Sequence, residues 1–172
     1  MNLSTNNSTG TAKQISAHTP ASDIKKVVVL RFGQFKLILP QADIRTVESI
    51  VDVDVQEPAD NAAGWINFSG QAWPAYCLSD QLGFIAEVPQ SRRACVILAL
   101  PDGYFGLICD DASVLVNFSV PIFALPSSMH LPSSPLYGVA CFEGGFACVS
   151  DTTRLAGFVS HISHDRILEE AL

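Results

Sequence analysis

This chain has little positive charge, little charge of any kind, and no paired residues that announce a chemistry. Its 172 residues hold 10 Lys and Arg against 17 Asp and Glu, a formal charge of -7, and charged residues make up only 16%. Nucleic acid and anionic lipid surfaces call for clustered cations, so this balance argues against both as the main partner. The five cysteines, Cys77, Cys95, Cys109, Cys141 and Cys148, form no C-x-x-C pair. Each sits in an apolar, strand-like run, the pattern of buried thiols in a reducing compartment. Cys141 and Cys148 flank a turn, which leaves a cross-strand disulfide or zinc site open, but the histidines lend it no support. His18 lies in a polar leader, His130 in a Pro-rich stretch, and His161 and His164 near the C-terminus. No apolar run approaches the ~20 residues that span a bilayer, and residues 1–22 lack the apolar block of a secretory signal. These absences predict a cytoplasmic protein with no membrane insertion, no metal and no cofactor.

What is present is apolar and strand-like. Hydrophobic residues make up 48% of the chain, enough for one domain with its own core. Gly64 to Leu78 reads as two short strands hinged at Gly70, where a tight turn needs a residue free of Cβ strain. Pro74 cannot donate to a central ladder, so its strand is expected at an edge or broken by a bulge. A second unit of similar logic runs from Leu136 to Ser150 around Glu143-Gly144-Gly145. Ile24 to Phe32 and Phe35 to Leu39 form a hairpin about Gly33-Gln34, and Arg92 to Leu100 and Tyr104 to Cys109 form another about Pro101-Asp102-Gly103. Asp43 to Val51 and Ala112 to Val116 read as further strands, Leu78 to Gly83 as a short helix ended by glycine, and Asp151 as the N-cap of a brief helix. Asp52 to Ala63 is an acidic loop and Pro121 to Pro135 an irregular connection. Many short strands at this spacing predict an all-β fold with a few short helices. Residues 1–23 are expected to be a disordered leader, 24–160 the domain, and 161–172 a short tail.

The order of these elements resembles the CheW-like domain family, the coupling modules of bacterial chemosensory arrays. The resemblance rests on Phe35-Lys36-Leu37-Ile38-Leu39-Pro40, on Thr46-Val47-Glu48-Ser49-Ile50, on the hairpin from Gly64 to Leu78, and on Gly138-Val139 with Ser150-Asp151. It implies two small five-stranded β-barrel lobes sharing an apolar core, without an active site. It also implies partners: a CheA-type histidine kinase and the cytoplasmic tip of a chemoreceptor, in chemotaxis or surface motility. Val47, Glu48, Gly64, Phe68, Ser69 and Gly70 match family positions around the receptor-facing groove and are the candidate partner-binding residues. Two departures accompany the match. Ser69 stands where the family has an arginine near the carboxylate of Glu48, so Glu48 is either solvated or paired with another cation such as Arg45. Cys77 stands where the family has aspartate. Together with Trp65 and Trp73, which add bulk around the hairpin, both mark a divergent coupling protein with its own receptor or kinase preference.

Other classes remain to be weighed. A thiol-dependent enzyme needs a cysteine activated by a base or a helix N-terminus, and the histidines lie far from the strand cysteines in sequence. A ligand-binding β-barrel needs an apolar cavity in the core. The acidic residues Asp52, Asp54, Glu57 and Asp60 lack the glycine and terminal glutamate of a calcium loop, so they read as a solvated face.

Overall fold

The computed structural model describes residues 26–56, 62–129 and 134–169; the predicted leader, Glu57, Asp60 and His130 lie outside these. Among the described residues, twelve strands form two six-stranded curled sheets with one α-helix packed against them. The strands are β1 (Lys26–Phe32), β2 (Phe35–Pro40), β3 (Ile44–Ser49), β4 (Val53–Asp54), β5 (Gly64–Phe68), β6 (Gln71–Cys77), β7 (Ala94–Leu100), β8 (Gly103–Cys109), β9 (Asp111–Val116), β10 (Ile122–Ala124), β11 (Gly138–Phe142) and β12 (Gly145–Val149). One lobe has the order β10-β11-β12-β2-β1-β9 and the other β4-β5-β6-β8-β7-β3. Helix α1 runs Thr152–Glu169, longer than the brief turn its cap suggested. No helix among the described residues is long and apolar enough to cross a membrane.

The two orders are the same plan written twice. In each lobe a hairpin from one half of the chain sits inside the sheet built by the other half. β1 and β2 pair with β9 and β12, and β7 and β8 pair with β3 and β6, the β2–β12 and β6–β8 contacts being parallel. Each lobe therefore has the five expected strands plus a very short one, β4 or β10, at its edge. The β5–β6 hairpin pairs Gly64 with Ala75, the β11–β12 hairpin pairs Gly138 with Val149, and both turn through two residues of positive φ, Ser69-Gly70 and Glu143-Gly144. That is the backbone a tight type I′ connection requires.

This exchange explains why the sequence shows continuous apolar runs where simple alternation would be expected of a surface sheet. The central strands bury both faces. Val27, Val29 and Ile38 fill the first lobe, with Phe118, Ile122 and Ala140; Cys95, Ile97 and Ile108 fill the second, with Ile66 and Ala75. The alternate residues Val28, Leu30, Leu37, Leu39, Val96, Leu98, Phe105 and Leu107 meet between the lobes in a third core. Leu155 of α1 joins that core. Its helix is held by the Asp151 carboxylate, which accepts the Arg154 N–H at 2.8 Å, and by Asp43, which accepts the Thr152 N–H at 2.9 Å.

Four expectations change. Pro74 lies in an internal strand, but the β6–β8 ladder begins only at Ala75, so the missing N–H falls outside it. Leu78 to Gly83 is a turn and not a helix: the Ser79 hydroxyl accepts the N–H groups of Gln81 and Gly83, and Leu82 has a φ of 61°. Strands β4 and β10 occupy segments expected to be irregular. The five cysteines are free, as read, but not all are buried: Cys141 is exposed and Cys148 half-buried, and they face Phe146 and Val139 across their hairpin and not each other.

A buried ion pair ties the lobes at their crossover. Arg92, only 5% exposed, donates to Asp110 at 2.8 Å and to the Leu78 carbonyl, and its guanidinium lies 5.3 Å from the Phe32 ring centre. Asp110 stands between β8 in one lobe and β9 in the other, and its second oxygen accepts the Gly33 N–H. Burial pushes the Asp110 carboxyl up, but the Gly33 N–H, the Ser91 hydroxyl and Arg92 outweigh it and hold the group below the usual carboxylate range.

Two outcomes test this architecture. A Cβ at Gly64 would overlap the Asp54 carbonyl that lets β4 close on β5, and one at Gly138 would come within 2.7 Å of Ile122. Gly64→Ala and Gly138→Ala should each cost about 1–3 kcal/mol in urea unfolding. Because the folded pKa of Asp110 lies below its unfolded value of about 3.9, its contribution is complete above that value and is lost as pH falls through the folded pKa. Asp110→Asn should be less stable at pH 7 and lose less stability than the wild type between pH 5 and 3, measured as urea midpoints.

Candidate functional site

Strand register decides which side chains of the second lobe face its interior and which face away. β3 pairs Ile44 with Leu98 but Thr46 with Ile97, a bulge at Arg45. That extra residue moves the following side chains to the other face. Thr46 and Glu48 then lie beside Ile97 and Cys95, on the face that fills the lobe, while Val47 lies opposite Val96 on the other face and is 45% exposed.

Glu48 is thus half-buried on the inner face of the lobe. Its carboxylate accepts the Thr46 hydroxyl at 3.0 Å, and no ion pair to Arg45 or another cation forms among the described residues. Its charge reaches inward. Burial first, then the Glu48 charge, push the Cys95 thiol up to about 12. Phe68 packs against the same core, and its ring meets Tyr104 edge-on at 4.9 Å. Trp73 packs on Tyr104 at 5.4 Å and donates its indole N–H to the Phe68 carbonyl at 3.1 Å.

The six candidate residues therefore divide. Glu48 and Phe68 share the inner face of the lobe. Ser69 and Gly70 form the exposed turn beside Phe68, whose geometry both positive φ angles explain. Val47 points away. Gly64 is buried and admits the β4 backbone, a packing role. No hydrogen bond, ion pair or ring contact among the described residues joins Val47 or Glu48 to the Gly64–Gly70 group. Thr46, Trp73 and Tyr104 also lie on this face; Trp73 is marked in the sequence by its bulk in the hairpin, whereas only the register brings Thr46 of β3 and Tyr104 of β8 to it.

The comparisons with known proteins agree with this architecture. The solved structure of the scaffolding protein TtCheW from Thermoanaerobacter tengcongensis superposes with a TM-score of 0.57 at 21% identity, covering 77% of this chain and 89% of that one. No curated protein matches the chain. A model of the CheW-like domain matches residues 18–158, which include every strand of both lobes. The chain belongs to the CheW-like domain family.

Proposed function

We propose that this chain is a non-enzymatic cytoplasmic adaptor that couples the tips of chemoreceptors to a CheA-type histidine kinase, in chemotaxis or surface motility. The observation that carries this reading is Glu48. The resemblance gives it the family's carboxylate position; its carboxylate accepts the Thr46 hydroxyl and, like Phe68, it lies on the inner face of the second lobe, where it can meet a partner's cation or N–H groups. Two lobes fused through one apolar core form a single body, so a shift at one docking face alters the geometry at the other. Regulation then arises from a difference in affinity between the two states of the kinase. Ser69 in place of the family arginine removes a bidentate donor from the turn beside Phe68, which favours a partner different from those of arginine-bearing relatives.

Four of the five cysteines are poorly suited to thiol chemistry. Burial pushes Cys109 up to about 12, as it does Cys95, and also raises Cys77 and Cys148, the reverse of what a nucleophile needs.

Two measurements check the proposal. Purified chain should co-sediment with receptor cytoplasmic fragments and a CheA-type kinase from the same cell, and Glu48→Lys should weaken receptor binding at least tenfold while the fold is retained by circular dichroism. Failure to bind either partner would overturn the reading. In maleimide labelling of the native protein near pH 7, the exposed Cys141 should react first and Cys77, Cys95 and Cys109 only on unfolding. A fast-reacting thiol whose modification abolishes a turnover activity would favour an enzyme.

A further inference from the structure

The two lobes are equivalent in plan, but their mouths are filled differently. Ala75 and Val149 hold the same hairpin position, and their parallel partners are Gly106 and Ile38. Counting back along β8 and β2 from those partners, Lys36 occupies the place of Tyr104. By the hairpin registers, Phe142 takes the place of Phe68 and Ala147 that of Trp73. Where the second lobe closes its mouth with three packed rings, the first has one ring, a methyl and a lysine stem. Beside Lys36 and Phe142 the first lobe has a cavity of 170 Å³, lined also by residues of β1 and β9.

Its chemistry follows from strand register. Val29, Leu115 and Phe142 form an apolar floor. Above them Lys36 lies opposite Arg31, and Arg31 opposite Asp111, on the adjacent strands β2, β1 and β9. Glu143, in the β11–β12 turn, accepts from Lys36 at 2.6 Å. Around the rim the charges run negative, positive, positive, negative, with the two cations side by side. Lys36 also lies 5.3 Å from the Phe142 ring centre, which keeps its ammonium over the floor. Asp111 is engaged by the Ser113 hydroxyl at 2.9 Å.

We propose that the mouth of the first lobe binds a small organic carboxylate with an apolar body the size of a leucine or phenylalanine side chain. The carboxylate sits between Arg31 and Lys36, and the body rests on Val29, Leu115 and Phe142. Charge-assisted hydrogen bonds to two cations favour one carboxylate, while Asp111 and Glu143 at the ends of the rim repel polyanions. The cavity is smaller than the roughly 300–1,000 Å³ of drug-sized sites, so it takes a single small group. Glu143 is a tethered competitor: its pair with Lys36 is largely solvent-exposed on the glutamate side, and such pairs are worth only about 0–1 kcal/mol, so losing it costs little, and the contacts of the ligand with Arg31 and the apolar floor supply the gain. The same chemistry is offered by a free acid and by the C-terminal residue of a peptide.

The test is an NMR titration of the full chain at low salt with four probes: 4-methylpentanoate, 4-methylpentanamide, and acetyl-Gly-Gly-Leu as free acid and as amide. Saturable shifts at Arg31, Lys36, Ser113 and Leu115 are expected with the acids, and at least tenfold weaker binding with the amides. Arg31→Gln and Lys36→Gln should each weaken the acids tenfold or more. Glu143→Gln should tighten them several-fold, whereas Asp102→Asn, an exposed carboxylate removed from the other lobe, should not. Tighter binding of 4-methylpentanoate assigns a free acid, and tighter binding of the tripeptide acid a protein C-terminus. Acids and amides binding alike, no saturable binding by any probe, or weaker binding by Glu143→Gln would overturn the proposal.

Discussion

Everything in this molecule depends on four strands that are buried on both faces. β1, β2, β7 and β8 each turn one row of side chains into a lobe and the other into the space between lobes, where Leu30, Leu37, Val96 and Leu107 meet. Each fully buried aliphatic side chain contributes on the order of 1.5–3 kcal/mol relative to exposure, so this middle layer holds the lobes as one body. The faces left over, at the two mouths, are then fixed in position by the core behind them. The proposed coupling draws on that rigidity, because a loose joint between lobes would uncouple one face from the other.

The Arg92–Asp110 pair is the polar complement of the middle layer. A buried ion pair is weak evidence for stability, since desolvation offsets much of the attraction. Its geometry nonetheless specifies something the apolar residues do not. Leucines and valines tolerate sliding, whereas Arg92 must meet Asp110, the Leu78 carbonyl and the Phe32 ring at once. Those partners come from both lobes and from the turn between β6 and β7, so the pair fixes how the chain crosses from one lobe to the other.

Much of this was legible in the residues. The four long hairpins, the Asp151 cap and the strand at Ala112 to Val116 all appeared from period, turn chemistry and capping. The short strands did not, because the two residues of β4 and the three of β10 are too few to show a period and lie in acidic and proline-rich segments. The orientation of Glu48 was also hidden: a bulge at Arg45 leaves no mark in the sequence, yet it turns Glu48 from the surface into the lobe. The supposed helix after Leu78 failed because Ser79 satisfies the backbone amides locally, an option that composition could not weigh against a helical turn. The equivalence of Lys36 with Tyr104 was invisible until both parallel ladders could be aligned.

The reciprocal lending of hairpins has a consequence for how the protein must be made. Neither half of the chain contains a complete sheet, so residues up to β6 cannot mature until β7 and β8 have been synthesised and inserted, and β12 must find β2 across most of the sequence. Such distant pairings make folding slow. They also mean that a second molecule could supply the lent hairpin as well as the first, since the joints would be the same. The segment from Leu78 to Arg92, which carries the chain from β6 to β7, is therefore the place where length and stiffness decide whether this fold closes upon itself or interlocks with a neighbour.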